Sequence, residues 1–428
     1  TVGDLNDDGY NDILIGANGN DHAAFNGGRA YVYSGADGTL LFPPMSGTHA
    51  SGQLGASVGA AGDIDDDGTV DLIVGAPGNG AGRAWIFSGV DGSVIDILEG
   101  ENTGDQFGFS VAGIGDIDGD DIDDIAVGAI NHDTGGTNAG RIYVFSGADL
   151  SEMCTFDGEA TGDVLGSALD GIADINGDGV PEIAAAGYNA GATDGGEGIV
   201  FSGAGCNDVL FPLEPMPPSS NLGWFFMDDA GDVNNDGTTD IYIGDFSANR
   251  AHVFSGVDGS TIWTFDGEGE GGGFGIGRGA GDLNNDGHAE LVLAAWVSGQ
   301  GAANGGKAFV YDGQTGDVLQ TMTHTVAGAT FGFDAAGMLD DLNDDGKDDF
   351  LITAASDQSA RGTVYVMAGT VGSVIGDITG EGSVHVQALL LLLGEWGDCA
   401  DPDDCPADLD GNDSVDVNDL LTLLANWT

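Results

Sequence analysis

The chain of 428 residues carries 71 acidic side chains against 8 lysines and arginines, a formal charge of −63, with seven histidines and four cysteines. That excess excludes nucleic acid and anionic membrane surfaces as direct partners, because both require a cationic footprint. It suits a saline or calcium-rich medium, where free and bound cations relieve self-repulsion.

From its first residues the chain repeats one acidic motif. Asp4, Asn6 and Asp8 with Gly9 close at Asp12; Asp63, Asp65 and Asp67 with Gly68 close at Asp71; Asp116, Asp118 and Asp120 close at Asp124. Four further copies run Asp174, Asn176, Asp178 to Glu182, then Asp232, Asn234, Asp236 to Asp240, then Asp282, Asn284, Asp286 to Glu290, and Asp341, Asn343, Asp345 to Asp349. Oxygen donors at positions 1, 3, 5 and 9, a backbone carbonyl at 7 and a turn glycine at 6 make a compact cage of hard ligands for Ca²⁺. In the third copy Asp121 stands where glycine is expected, which predicts a strained turn and a weaker site.

The motifs start 59, 53, 58, 58, 50 and 59 residues apart, a period near that of propeller blades and above that of helical hairpin repeats. Each period reads as four short strands. In the second, Ala56 to Ala60 leads into the loop, Asp71 to Pro77 leaves it, Arg83 to Phe87 is a third run and Ser93 to Leu98 a fourth, reached through an Asp91-Gly92 hairpin signal that recurs at Asp37-Gly38 and Asp258-Gly259. Four antiparallel strands per repeat make one blade. Arg29, Arg83, Arg141, Arg250 and Lys307 share one place, the start of the third strand, with Glu197 and Thr363 there in the other blades. An equivalent residue in every blade predicts a structural role such as pairing with a nearby acid, leaving Arg278, Lys347 and Arg361 for other work.

These residues resemble the FG-GAP repeats of integrin α-subunit propellers and their bacterial relatives. Phe107-Gly108, Phe274-Gly275 and Phe331-Gly332 match the opening dipeptide, with Leu54-Gly55, Leu165-Gly166 and Leu222-Gly223 as softened forms, and Gly75-Ala76-Pro77 matches the second half. Gly16-Ala17-Asn18, Gly128-Ala129-Ile130 and Gly244-Asp245-Phe246 are looser matches. The resemblance covers residues 1–370 and implies an all-β, seven-bladed propeller with Ca²⁺ in the hairpin loop between the first two strands of each blade. The chain opens just before the first loop, so the first blade is expected to lack most of its leading strand. That strand is expected from upstream sequence, from the segment near Val371 to Ile375, or from a neighbouring molecule.

Beyond residue 370 the texture changes to two half-repeats offset by 31 residues, each a calcium-type loop running into an apolar helix. The pair, over residues 376–428, resembles a dockerin, an α-helical, EF-hand-like module that implies docking on a cohesin-like domain. The second copy fills the ligand positions with Asp408, Asp410, Asn412, Asp416 and Asp419. The first offers Asp377, Thr379, Glu381 and His385, then Ala388 in place of the closing carboxylate, so one firm Ca²⁺ is expected here beside about seven in the propeller. Between the halves Cys399 and Cys405 lie six apart with no further Cys or His ligand nearby, which favours a disulfide in an oxidising compartment over a metal pair. The pairing of Cys154 and Cys206 stays open.

No signal peptide is evident in these residues, and the longest apolar run, Ala388 to Leu393, is far too short to span a bilayer. His22, His49, His132, His252, His288, His324 and His385 form no zinc spacing and no nucleophile–base grouping. Carboxylates are so abundant that no glycosidase-like pair stands out, and a lyase acting on acidic polysaccharide needs free cations, of which this chain has almost none. Binding is therefore the expected function class, without enzymatic activity. Trp224, Phe225, Phe226, Phe246 and Trp296 are rings that either pack between blades or meet a sugar or protein partner. The resemblance implies a secreted adhesion or lectin module at the cell surface. The alternatives are a structural subunit assembling head to tail through an open edge and the tail, or a polysaccharide lyase or hydrolase.

Overall fold

The computed structural model describes residues 1–369 apart from 192–194, 206–207, 216–220, 268–271, 340, 343–346 and 358–361, together with 397–398 and 414–415. Seven antiparallel sheets follow one another along the chain. Blade 2 is built from Val58–Gly62, Asp71–Ala76, Arg83–Phe87 and Val94–Glu99, within a residue or two of the runs read from the sequence. Blades 3 to 6 repeat that order, beginning at Phe107–Gly115, Leu165–Ile172, Met227–Gly231 and Phe274–Gly279. Blade 1 has Ile13–Ala17, Arg29–Tyr33 and Met45–Ser46, the counterparts of a second, third and fourth strand, so Ile13–Ala17 lies at a sheet edge. Blade 7 has Phe331–Leu339, Asp349–Ala354 and Thr363–Met367.

Burial explains why the second strands read as unbroken apolar runs while the fourth alternate. Every residue of Asp71–Ala76, Asp124–Ala129 and Asp240–Asp245 is buried, because a blade's middle strand is covered on both faces by its neighbours. Val94–Glu99, at the rim, shows the mixed exposure of a strand covered on one side. The hydrophobic core is accordingly divided among the blade junctions. Ile73, Ile86, Phe107, Val127 and Tyr143 join blades 2 and 3, and Tyr242, Val253, Phe274, Leu293 and Phe309 join blades 5 and 6. The ring closes where Ile13 of blade 1 meets Leu339 and Leu351 of blade 7.

The dockerin-like reading of 376–428, with its ligand positions and the Cys399–Cys405 pair, lies outside the described residues. Only the short antiparallel pair Gly397–Asp398 and Ser414–Val415 is placed there. Cys154 is disulfide-bonded, and the other three cysteines are outside the described residues. No helix among the described residues is long and apolar enough to cross a membrane.

Candidate functional site

In blades 2 to 7 the acidic loop joins the end of a first strand to the start of a second, and in blade 1 it leads into Ile13–Ala17, the counterpart of a second strand, so all seven fall at one end of the ring. The position 1 carboxylate folds the turn around itself: Asp63 accepts the N–H of Asp67 at 3.0 Å and of Gly68 at 2.8 Å. The same two bonds recur at Asp4, Asp116, Asp174, Asp232 and Asp282. At Asp174 the amide of Gly179, with those of Gly177 and Asp178, holds the carboxyl below its ordinary range. Asp121 takes the glycine's place in the third loop with φ 71° and still donates its N–H to Asp116 at 2.9 Å. The expected turn thus forms on a residue that reaches this conformation with strain.

These turns bring the ligand positions together. In the second, third, fourth and sixth loops one oxygen from each of three acidic side chains lies within 4.8 Å of the others: Asp63, Asp65 and Asp71; Asp116, Asp118 and Asp124; Asp174, Asp178 and Glu182; Asp282, Asp286 and Glu290. In the seventh loop Asn343 and Asp345 lie outside the described residues, while Asp341 and Asp349 flank them as expected.

The closing carboxylate does something that the motif did not disclose. In all seven loops one of its oxygens accepts the N–H of position 2, as Asp71 does from Ile64 at 2.9 Å. In the five loops closed by aspartate the other oxygen crosses to the segment that follows the third strand of the same blade. There it accepts the N–H of Gly35, Gly89, Gly147, Gly256 or Gly369 at 2.9–3.2 Å. Those glycines are required by close approach: a Cβ on Gly89 would stand 2.0 Å from the carbonyl oxygen of Val70, and one on Gly147 2.1 Å from that of Asp123. The signal that could have revealed four of them is the recurrence of Ser-Gly at 34–35, 88–89, 146–147 and 255–256, while Gly369 follows an alanine.

The donor set fits a hard divalent cation. Asn234 Oδ1, at position 3 of the fifth loop, is buried with no hydrogen-bond partner, as a ligand oxygen awaiting an ion would be. Burial pushes Asp71 up to about 6 and Glu182, Asp240 and Glu290 up to about 7, and raises Asp12 and Asp124 as well. A cation beside these carboxylates would offset that cost and keep them ionised.

Elsewhere the cations are structural, as their register predicts. Arg83, Arg141 and Arg250 reach the fourth strand of their own blade, pairing with Glu99, Asp157 and Asp266 at 2.6–2.8 Å, and Arg29 donates to Ser46 Oγ. Lys307 lies 4.4 Å from the centre of the Phe309 ring. Arg278 is not held in reserve: on the first strand of blade 6 it donates to Asp228 of blade 5 at 2.9 Å. Asp170 of blade 4 in turn accepts the N–H of Asp229, so three adjacent first strands are tied together. Burial raises both Asp170 and Asp228. Two of the histidines, His132 and His252, are core residues.

The opposite end of the first strands carries the aromatic rings. Phe109 of blade 3 stacks on Phe225 of blade 5 with centroids 5.2 Å apart, past Ser167 of blade 4, whose hydroxyl donates to the Gly223 carbonyl. Phe225 continues to Trp224, and Trp224 to Tyr188 and Phe246, at 5.1–5.5 Å. Phe226 packs edge-on to Phe225 and Phe246, and Trp296 edge-on to Phe333. Most of these rings are largely covered, as packing would have it, but Phe333 is 43% exposed and Phe225 48%, and Phe225 alone of them has a positive φ, 78°, a conformation costly for a bulky side chain.

Residues 1–33, 54–87 and 107–145 match the FG-GAP repeat. Among curated proteins the chain is 34% identical over 186 residues to integrin alpha-5 of Xenopus laevis and 38% identical over 138 residues to integrin alpha-6 of Gallus gallus. Those matches take in 37% and 30% of this chain and only 18% and 13% of the relatives. A crystal structure of BBS1N in complex with ARL6DN, soaked with lead, superposes with a TM-score of 0.50 at 11% identity, covering 86% of this chain and 91% of that one. At that identity the likeness concerns the fold alone. Together with the seven sheets, these findings give an all-β, seven-bladed propeller whose first three blades match the FG-GAP repeat.

Proposed function

We propose that this chain is a calcium-stabilised recognition and adhesion module working outside the cell. It binds a protein or glycan through the aromatic end of the propeller and is anchored through residues 376–428 on a cohesin-like domain or a comparable partner. Ca²⁺ in the acidic loops would neutralise clustered carboxylates and fix the hairpins at the other end, as a scaffold for recognition without catalysis.

The observation that carries the reading is Phe225. Its backbone departure costs on the order of 1–3 kcal/mol and its ring is left half in water, an expense that neither core packing nor the repeat demands. An array of glycans and extracellular proteins, probed with parent and with Phe225→Ala in calcium and in chelator, tests it. Binding by the parent that the variant loses is the expected result; indifference of every captured ligand to the substitution would refute it. A second reading, assembly of copies into a layer or filament, is favoured by the sheet edge at Ile13–Ala17, which has no further partner strand among the described residues and would accept another strand. Concentration-dependent growth in light scattering or electron micrographs would support it.

A further inference from the structure

The outer edge of one blade is fitted to the turn of the next. Phe211, which pairs with Val200 on the fourth strand of blade 4, lies against the turn between the third and fourth strands of blade 5: a Cβ on Gly259 would stand 2.7 Å from its ring. Trp263, opposite Val253 in blade 5, takes the same place against blade 6. There a Cβ on Gly316 would stand 3.0 Å from the ring, and the indole N–H donates to the Gly313 carbonyl at 2.8 Å. At the first junction Phe42 of blade 1 meets Gly92 of blade 2. Gly92, Gly259 and Gly316 are the fifth residues of their turns, counted from Ser88, Ser255 and Asp312.

Blades 3 and 4 have cysteines at these two positions. Cys154 stands opposite Val144 in the fourth strand of blade 3, Glu152–Asp157, the register of Phe211 and Trp263. It is disulfide-bonded and packs against the core cluster that contains Ile183 and Phe201 of blade 4. Cys206 is the fifth residue of the blade 4 turn counted from Ser202, the count of Gly259 and Gly316. Cys206 lies outside the described residues, but its turn is pinned at both flanks, with Ser202 donating its N–H to the Asp208 carbonyl at 2.9 Å. That turn is one residue longer than those closed by Ser88 and Ser93, Ser255 and Ser260, or Asp312 and Asp317, so it does not have to repeat the positive φ of about 72° that Gly259 and Gly316 adopt.

We propose that Cys154 and Cys206 are bonded to each other, a covalent staple from the rim of blade 3 to the turn of blade 4, in the place where other junctions set an aromatic ring on glycine. A disulfide needs Cβ atoms about 4 Å apart, the approach that the neighbouring junctions show at this place. Cys399 and Cys405 are then left to each other across the short loop between them. Two S–H bonds give way to one S–S bond, and two electrons and two protons pass to a disulfide oxidant, such as oxidised glutathione or a disulfide-donating oxidoreductase, of an oxidising compartment.

This junction has a reason to need a bond. Blades 2, 3 and 5 pin the start of the third strand with an arginine paired to an acid of the fourth, whereas blade 4 has Glu197 there. Burial raises the Glu197 carboxyl, and the like charges of Glu214, Glu159 and Asp163 raise it further. Glu159 and Asp163 lie in the connection from blade 3 to blade 4, so charge repels at one end of the junction while the staple holds the other.

The test is peptide mapping of the unreduced, thiol-blocked full chain. Cleavage before aspartate places each cysteine on its own peptide, residues 149–156, 194–207, 398–400 and 404–407. Mass spectrometry should find 149–156 joined to 194–207. A 149–156 peptide joined to either of the other two, or carrying the blocking group, would overturn the pairing. Thermal melting of Cys154→Ser, Cys206→Ser and the double variant supplies a second readout. All three should melt several degrees below the parent and level with one another, since each removes the same bond, and reductant should bring the parent down to them. Additive losses, or a double variant that melts with the parent, would overturn the staple.

Discussion

The two ends of the propeller obey opposite rules. At the loop end each blade repeats the same acidic turn, the same closing carboxylate and, in five blades, the same bond from that carboxylate to a hairpin glycine. At the aromatic end the blades diverge: Phe109, Ser167, Trp224 and Phe333 follow the opening dipeptides of blades 3, 4, 5 and 7 and share neither size nor exposure, and Phe225 comes one residue further on. What is repeated holds the ring together. What is not repeated is where one particular partner can be told from another.

The largest expected effect lies at the repeated end. Gly89→Ala places a methyl carbon 2.0 Å from the Val70 carbonyl oxygen, against backbone that cannot yield. A loss of about 4 kcal/mol or more is expected in thermal or denaturant unfolding, calcium or not. Gly104→Ala, where nothing lies within 4 Å, is the control and should cost far less even though its φ of +100° disfavours alanine. Equal losses would show that the hairpin contact is not what holds the blade.

Next comes the closing carboxylate. Asp71→Ala strands the N–H groups of Ile64 and Gly89 in a buried site and should cost about 3 kcal/mol in chelator as well as in calcium. Asp67→Ala, at an exposed ligand position, should be nearly neutral in chelator and visible only when calcium is present. A loss that vanishes in chelator for both variants would mean that the closing residue is a ligand and nothing more.

Between the ends, His252 breaks the pattern of third-strand residues, sitting where Tyr31, Trp85, Tyr143, Phe309 and Tyr365 stand in other blades. Burial, with the nearby Arg250 charge reinforcing it and Asp266 opposing it, lowers its pKa from 6.5 to about 4. A group depressed in the fold contributes stability that is complete above 6.5 and is lost as pH falls through the window from 6.5 to 4. By pH 5 the loss is about 2 kcal/mol. Melting of parent and His252→Phe between pH 7.5 and 5 should therefore converge at the top of the range and separate toward the bottom, with the variant the more stable.

The smallest effect on stability is expected at the unrepeated end. Phe225→Gly relieves the left-handed backbone and loses the stack on Phe109, two terms of about 1 kcal/mol and opposite sign. Stability should change by less than about 1 kcal/mol while ligand capture is abolished. A large destabilisation would move Phe225 into the structural half of the comparison.

The parts of this fold legible in the sequence are those written as local spacing. The ligand set of Asp63, Asp65, Asp67 and Asp71 falls within nine residues, and the third-strand arginines recur at the start of the same strand in successive repeats, so periodicity alone places both. The bond from Asp71 to Gly89 joins two hairpins 18 residues apart and depends on how they pack. The pairing of Arg278 with Asp228 is set by neighbouring blades 50 residues apart in sequence. Such contacts leave no local pattern, which is why Arg278 reads as available from sequence and is engaged in the structure. The acidic loops and the glycine-bounded strands are repeated seven times; the aromatic surface occurs once, and a single occurrence cannot be told from packing until exposure is known.

Blade 5, which carries Trp224 and Phe225, stands between the two blades whose loops end in glutamate. Its Asp228 takes the Arg278 guanidinium from blade 6 and its Asp229 amide goes to Asp170 of blade 4, so the sector around the exposed phenylalanine is cross-braced from both sides without any ion.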